Sequence, residues 1–164
     1  MTDTPLKAYW YGYMQYSSCT TDDEVTVLSK EQGHLDSLQG LFPDGQLDYF
    51  EVETGKRQNK AYYTFSMDVV DWPKPVRKLG RFAVCGMLDA RPVARWCEQS
   101  IDVDVHPEQA EYIIGYLPQL RLEHLNNGKV RLYTCTTFET KQILEYLYKD
   151  APEARPSRKR LYDA

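Results

Sequence analysis

No apolar run in the 164-residue chain approaches the ~20 residues that a membrane-spanning helix needs, so no membrane partner is expected. Met1-Thr2-Asp3-Thr4-Pro5 has neither the basic start nor the apolar centre of a secretory signal. The expected compartment is cytoplasmic, or nuclear in a eukaryotic host. Cysteine is sparse, at Cys19, Cys85, Cys97 and Cys135, and no two are spaced Cys-x-x-Cys. That removes the usual zinc and redox signatures and predicts free, buried thiols. The chain also lacks a phosphate loop, a Gly-x-Gly-x-x-Gly turn, a Gly-x-Ser-x-Gly elbow and a His-Glu-x-x-His helix. No cofactor is therefore expected.

What the chain has is tyrosine, 13 against 5 phenylalanines. Tyrosine combines large contact area, few rotors and a hydroxyl that tolerates water, which suits a gripping surface. The densest run is Tyr9-Trp10-Tyr11-Gly12-Tyr13-Met14-Gln15-Tyr16. Read as a strand over 7–17, it sets Tyr9, Tyr11 and Tyr13 on one face. Tyr62 joins that face if the strand over 61–69 is a neighbour. These four residues are the candidate partner-binding surface. Core packing of the same tyrosines is the competing reading.

Charge is uneven around the net −4. From Pro152 onward the chain carries Arg155, Arg158, Lys159 and Arg160 against Glu153 and Asp163, leaving 16 basic and 22 acidic residues in 1–151. An acidic body does not suit phosphate contacts but does suit a basic partner. Residues 152–164 read as a basic, flexible tail. It is a candidate import signal or nucleic-acid clamp. Lys74, Arg77, Lys78 and Arg81 form a smaller basic group.

Helical starts are expected at Thr20–Glu24 and after Asp89, strands over 47–53, 61–69, 81–88, 101–105 and 129–135, and helices from His106 to Pro118 and over 137–149. The fold class that follows is α+β. A mixed, mostly antiparallel sheet of about five to six strands would carry three to four helices mainly on one face, in a single domain over 1–151. Cys19-Thr20-Thr21 and Cys135-Thr136-Thr137 echo each other, but nothing around them aligns, so chance recurrence is the expectation.

Two chemistries compete with binding. Asp102, Asp104 and His106 alternate on one strand face and could gather a divalent metal for phosphoester hydrolysis. A solvated strand face explains the same residues. Cys85 or Cys135 with a distant histidine is a generic nucleophile pairing, and core packing explains Cys85 more simply. The function expected is thus a small non-enzymatic inhibitor or immunity-type protein, occluding a larger, basic macromolecular partner through the tyrosine patch. A metal-dependent phosphoesterase or nuclease, and nucleic-acid binding through the tail, are the alternatives.

Overall fold

Thr4 and Pro5 begin a helix. The Thr4 hydroxyl accepts a hydrogen bond from the Lys7 amide at 3.3 Å, and proline occupies the first turn, where its missing N–H costs nothing. This helix, α1 (Pro5–Met14), replaces the strand expected over 7–17. The computed structural model describes residues 4–14, 18–20, 23–52, 60–68, 80–90, 93–96 and 99–154, with Pro156 and Arg158.

Four strands and a short helix follow: β1 (Ser18–Thr20), β2 (Glu24–Ser29), α2 (Asp36–Leu41), β3 (Gln46–Val52) and β4 (Lys60–Asp68). The helix expected from Thr21 is a strand, because Val25 and Val27 alternate with polar neighbours and both are buried. The second half consists of α3 (Gly80–Ala90), β5 (Val93–Trp96), β6 (Ile101–Val105), α4 (Pro107–Tyr116), β7 (Arg121–His124), β8 (Val130–Tyr133) and α5 (Thr137–Tyr148). Here the strand expected over 81–88 is helical and the short helix expected after Asp89 is a strand. The readings at 101–105, at α4 and at α5 hold. At α5 the Thr136 hydroxyl accepts from the Glu139 amide, and the Glu139 carboxylate accepts from the Cys135 amide.

The α+β class is as expected, and all pairings among the described strands are antiparallel. The strands divide, however, between two four-stranded sheets, ordered β1-β2-β4-β3 and β5-β6-β8-β7. The same succession, helix-strand-strand-helix-strand-strand, therefore occurs twice with the same strand order. Registers match as well. Phe65 on β4 lies between Val27 and Leu47, and Leu132 on β8 lies between Val103 and Leu122. The halves meet where α1 crosses α3. A Cβ built on Gly12 would lie 1.9 Å from the Ala83 carbonyl oxygen, and one on Gly86 would lie 1.9 Å from that of Tyr9. The chain shift that carries Gly12 onto Gly86 also carries Tyr9 onto Ala83, so the crossing is pseudo-symmetric. The Cys-Thr-Thr echo does not mark this repeat: Cys19 lies within β1 and Cys135 follows β8.

One apolar core serves both halves. Trp10, Val27, Leu38 and Phe65 from the first join Leu88, Val103, Ile113, Leu132 and Leu147 from the second. Burial of that area is the main favourable term for the fold.

Candidate functional site

In α1, residues four apart share a side. Tyr9 and Tyr13 therefore turn inward together, at 1% and 3% exposure, and are not surface anchors. Tyr11 is half-buried. Tyr62 is half-buried on β4, in the other layer. The four tyrosines do not form one row.

The Tyr9 hydroxyl instead enters a buried polar chain. It donates to Asp89 Oδ2 at 2.8 Å, so His34 Nε2, 2.7 Å away, must donate to it. In the neutral ring Nδ1 then accepts from the Ser29 hydroxyl at 2.9 Å, and Ser29 accepts from the Glu31 amide at 3.2 Å. Tyr148 donates to Asp89 Oδ1 at 2.7 Å. Arg158 lies 3.6 Å from the same oxygen and also donates to the Leu88 carbonyl. The Cys85 thiol points at Asp89 Oδ2 from 4.0 Å, which fits packing rather than nucleophilic work. The cluster ties α1, the β2–α2 connection, α3, α5 and the C-terminal segment to one carboxylate. Tyr9, His34, Asp89 and Tyr148 are essentially inaccessible, so no substrate reaches them as they stand.

Burial, then the charge of Asp89, holds the Tyr9 and Tyr148 phenols well above the ordinary tyrosine range. A raised folded value favours the neutral form. This stabilisation is complete below about pH 10, the unfolded phenol value, and is lost as pH rises above it. In an alkaline absorbance titration these two tyrosines should ionise only together with unfolding. Independent ionisation of all thirteen before any loss of near-ultraviolet circular dichroism would contradict the arrangement.

Arg158 is thus buried in the core, not part of a free tail, which removes it from the nucleic-acid and import readings. Arg155, Lys159 and Arg160 lie outside the described residues, as do Lys74, Arg77 and Lys78. Arg81, on α3, donates to the Lys149 carbonyl at 2.9 Å. Asp102 and Asp104 share a face of β6, as expected, since Ile101, Val103 and Val105 are the buried set. The Asp104 carboxylate, however, forms a two-pronged pair with Arg131, at 2.8 and 3.3 Å. A guanidinium there supplies the positive charge that a metal would bring. His106 is exposed at the start of α4. Among the described residues no group of three His, Cys, Asp or Glu side chains is placed to hold a metal ion. Cys135 is exposed, contrary to the expectation of buried thiols; the Cys19 side chain and Cys97 lie outside the described residues.

Among the described residues β3 gathers three of the exposed large hydrophobic side chains on one element. It ends its sheet and, among the described residues, pairs with β4 alone. Every residue from Gln46 to Glu51 is exposed. Leu47, Tyr49 and Phe50 show 41%, 52% and 42% of their surface. Rings gather on both faces: Tyr49 lies 5.0 Å from Tyr63, and Phe50 stacks 5.4 Å from Tyr62, with Lys30 Nζ 5.8 Å over the Tyr62 ring. Asp48 and Glu51 stand among them. The Tyr49 hydroxyl donates to Glu51, which raises its pKa.

Edges that avoid pairing are short or charged. β1 has three residues, and β5 and β7 four each. β7, the counterpart of β3, carries Arg121, Glu123 and His124 around a single exposed leucine. β3 has seven residues; in the matched register Tyr49 stands where β7 has His124, and Phe50 lies beyond the end of β7. β3 corresponds to the strand expected over 47–53, to which no site residue is assigned from sequence. Its sign in the sequence is Leu47, Tyr49 and Phe50 in a run without the strict alternation of a half-buried strand. No protein-family model matches this chain, and no curated protein matches it.

Proposed function

We propose that the chain is a non-enzymatic binding protein that occludes a larger, basic partner by docking it on β3. The observation that carries this reading is a seven-residue edge strand exposing Leu47, Tyr49 and Phe50 in an acidic setting. An edge strand offers unpaired backbone groups, and extended segments bind such edges by adding a strand. Aromatic anchors supply most of the affinity at such contacts. Asp48, Glu51 and the acidic body steer a basic partner and speed encounter. The tyrosine surface expected from Tyr9, Tyr11 and Tyr13 of a strand over 7–17 with Tyr62 is here replaced by one on β3 and β4 that keeps Tyr62.

Capture from host lysate with three proteins tests the reading. Wild type and Leu122→Lys, which alters the counterpart edge, should retain one specific partner. Leu47→Lys/Phe50→Lys should retain about tenfold less or none, the loss of one hot spot, with an unchanged melting temperature. Equal capture by all three sinks the proposal.

A further inference from the structure

Beside the start of β3 lies a notch of about 260 Å³. This is below the ~300–1,000 Å³ of small-molecule sites and suits a single side chain. Leu41, Phe42 and Met67 give it apolar walls, and Asp44 and Asp68 add two carboxylates. Its position follows from the ladder. The β3–β4 pairing starts at Gln46 opposite Ser66, while β4 runs on through Met67 and Asp68, which pair with Val25 and Glu24 of β2. In place of β3 stands the turn over 43–45, held by the Gly45 amide bonding to the Phe42 carbonyl at 2.9 Å. Gly45 is required there, because a Cβ would lie 2.2 Å from the Phe65 ring.

We propose that this notch takes a lysine or arginine side chain from an extended segment of the partner lying along β3. The inference rests on the docking reading above and adds the chemistry of the ligand. A long cationic side chain lays its methylenes on apolar surface and keeps its charged head among oxygens, which matches these walls and carboxylates. Strands are spaced about 4.8 Å apart, so a strand added to β3 lies one to two spacings from the notch, within reach of a lysine or arginine. Asp44 in the turn and Asp48 and Glu51 on β3 give this edge negative charge, with Asp68 one strand inward on β4, and together they reject an acidic segment. A second copy of this chain would bring the same carboxylates against them within a Debye length of about 8 Å, so a basic foreign segment is the occupant.

Selection of randomised ten-residue peptides on the full-length protein tests this. Wild type should enrich β-forming sequences with lysine or arginine at one fixed position. Asp44→Asn/Asp68→Asn should lose that preference and bind the enriched peptide about tenfold more weakly, a charge-assisted contact removed. Leu47→Lys/Phe50→Lys should not enrich the peptide. Enriched peptides without a fixed basic residue, no enrichment, or less than a twofold loss on Asp44→Asn/Asp68→Asn would each overturn the notch inference. The docking reading survives those outcomes if the β3 variant still loses its host partner, and falls if that variant enriches the same peptides. A dimer in sedimentation that Leu47→Lys/Phe50→Lys disperses would place a second copy on β3 and overturn both the basic segment and its side chain.

Discussion

Replacing Asp89 with alanine is expected to lower the unfolding free energy by about 3–5 kcal/mol, the cost of breaking a buried ion pair from one side. Asp89 is fully buried and accepts from Tyr9 at 2.8 Å and Tyr148 at 2.7 Å. It also faces Arg158 at 3.6 Å. Removing the carboxylate leaves a buried guanidinium without that counter-charge and two phenols without that acceptor. For a chain of this size each kcal/mol is worth about 2–4 °C, so the melting temperature should fall by about 6–20 °C. The double variant Asp89→Leu/Arg158→Met removes both charges and keeps apolar volume, and should cost less than Asp89→Ala alone. Chemical denaturation of wild type, Asp89→Ala, Asp89→Leu, Arg158→Met and the double variant measures the coupling. If Asp89→Ala lies within 1 kcal/mol of wild type, Asp89 does not organise the core as described.

The elements that were legible in sequence are those whose local pattern and tertiary role agree. Ile101, Val103 and Val105 alternate and are buried on one face. Thr136 and Glu139 announce α5 and then cap it. Two of the exchanges, at α1 and α3, lie where the two halves of the molecule cross. From Gly80 to Ala90 nearly every residue is buried, glycines and Asp89 included. A helix enclosed on all sides has no polar face, so its apolar run looks like a central strand. In α1 the β-propensity of Tyr9, Trp10, Tyr11 and Tyr13 points to a strand, whereas the Thr4-Pro5 start and packing against α3 favour the helix.

The site was less legible, because its defining properties are not local. That β3 lies at an edge depends on the strand order, which no window around Leu47 contains. Arg158 reads as one of a basic cluster until Asp89, far away in the chain, is seen beside it. Asp104 reads as a metal ligand until Arg131 on the neighbouring strand takes its carboxylate. In each case the residue type was informative, and the partner that sets its role came from another element.

The close crossing of α1 and α3 makes the second large prediction. Gly12→Ala and Gly86→Ala should each destabilise the protein by about 2–3 kcal/mol, although alanine in a helix is intrinsically better than glycine by about 1 kcal/mol. At both positions the added methyl meets a backbone oxygen at 1.9 Å, and no rotamer change relieves backbone. The helices must separate, which loosens Tyr9, Trp10, Val84 and Leu88 in the shared core. Gly40 and Gly115 are the internal controls, since both are helical and a Cβ there meets nothing within 4 Å. Their alanine variants should be neutral or more stable by up to about 1 kcal/mol. Pseudo-symmetry adds a sharper condition. Gly12 and Gly86 occupy equivalent places in one crossing, so their costs should be similar. The double variant should cost less than the sum, because the separation forced by the first methyl admits much of the second. Thermal melts of the five variants decide it. If Gly12→Ala gains stability as Gly115→Ala does, the helices do not meet at this distance, and the pairing of the two halves through α1 and α3 is wrong.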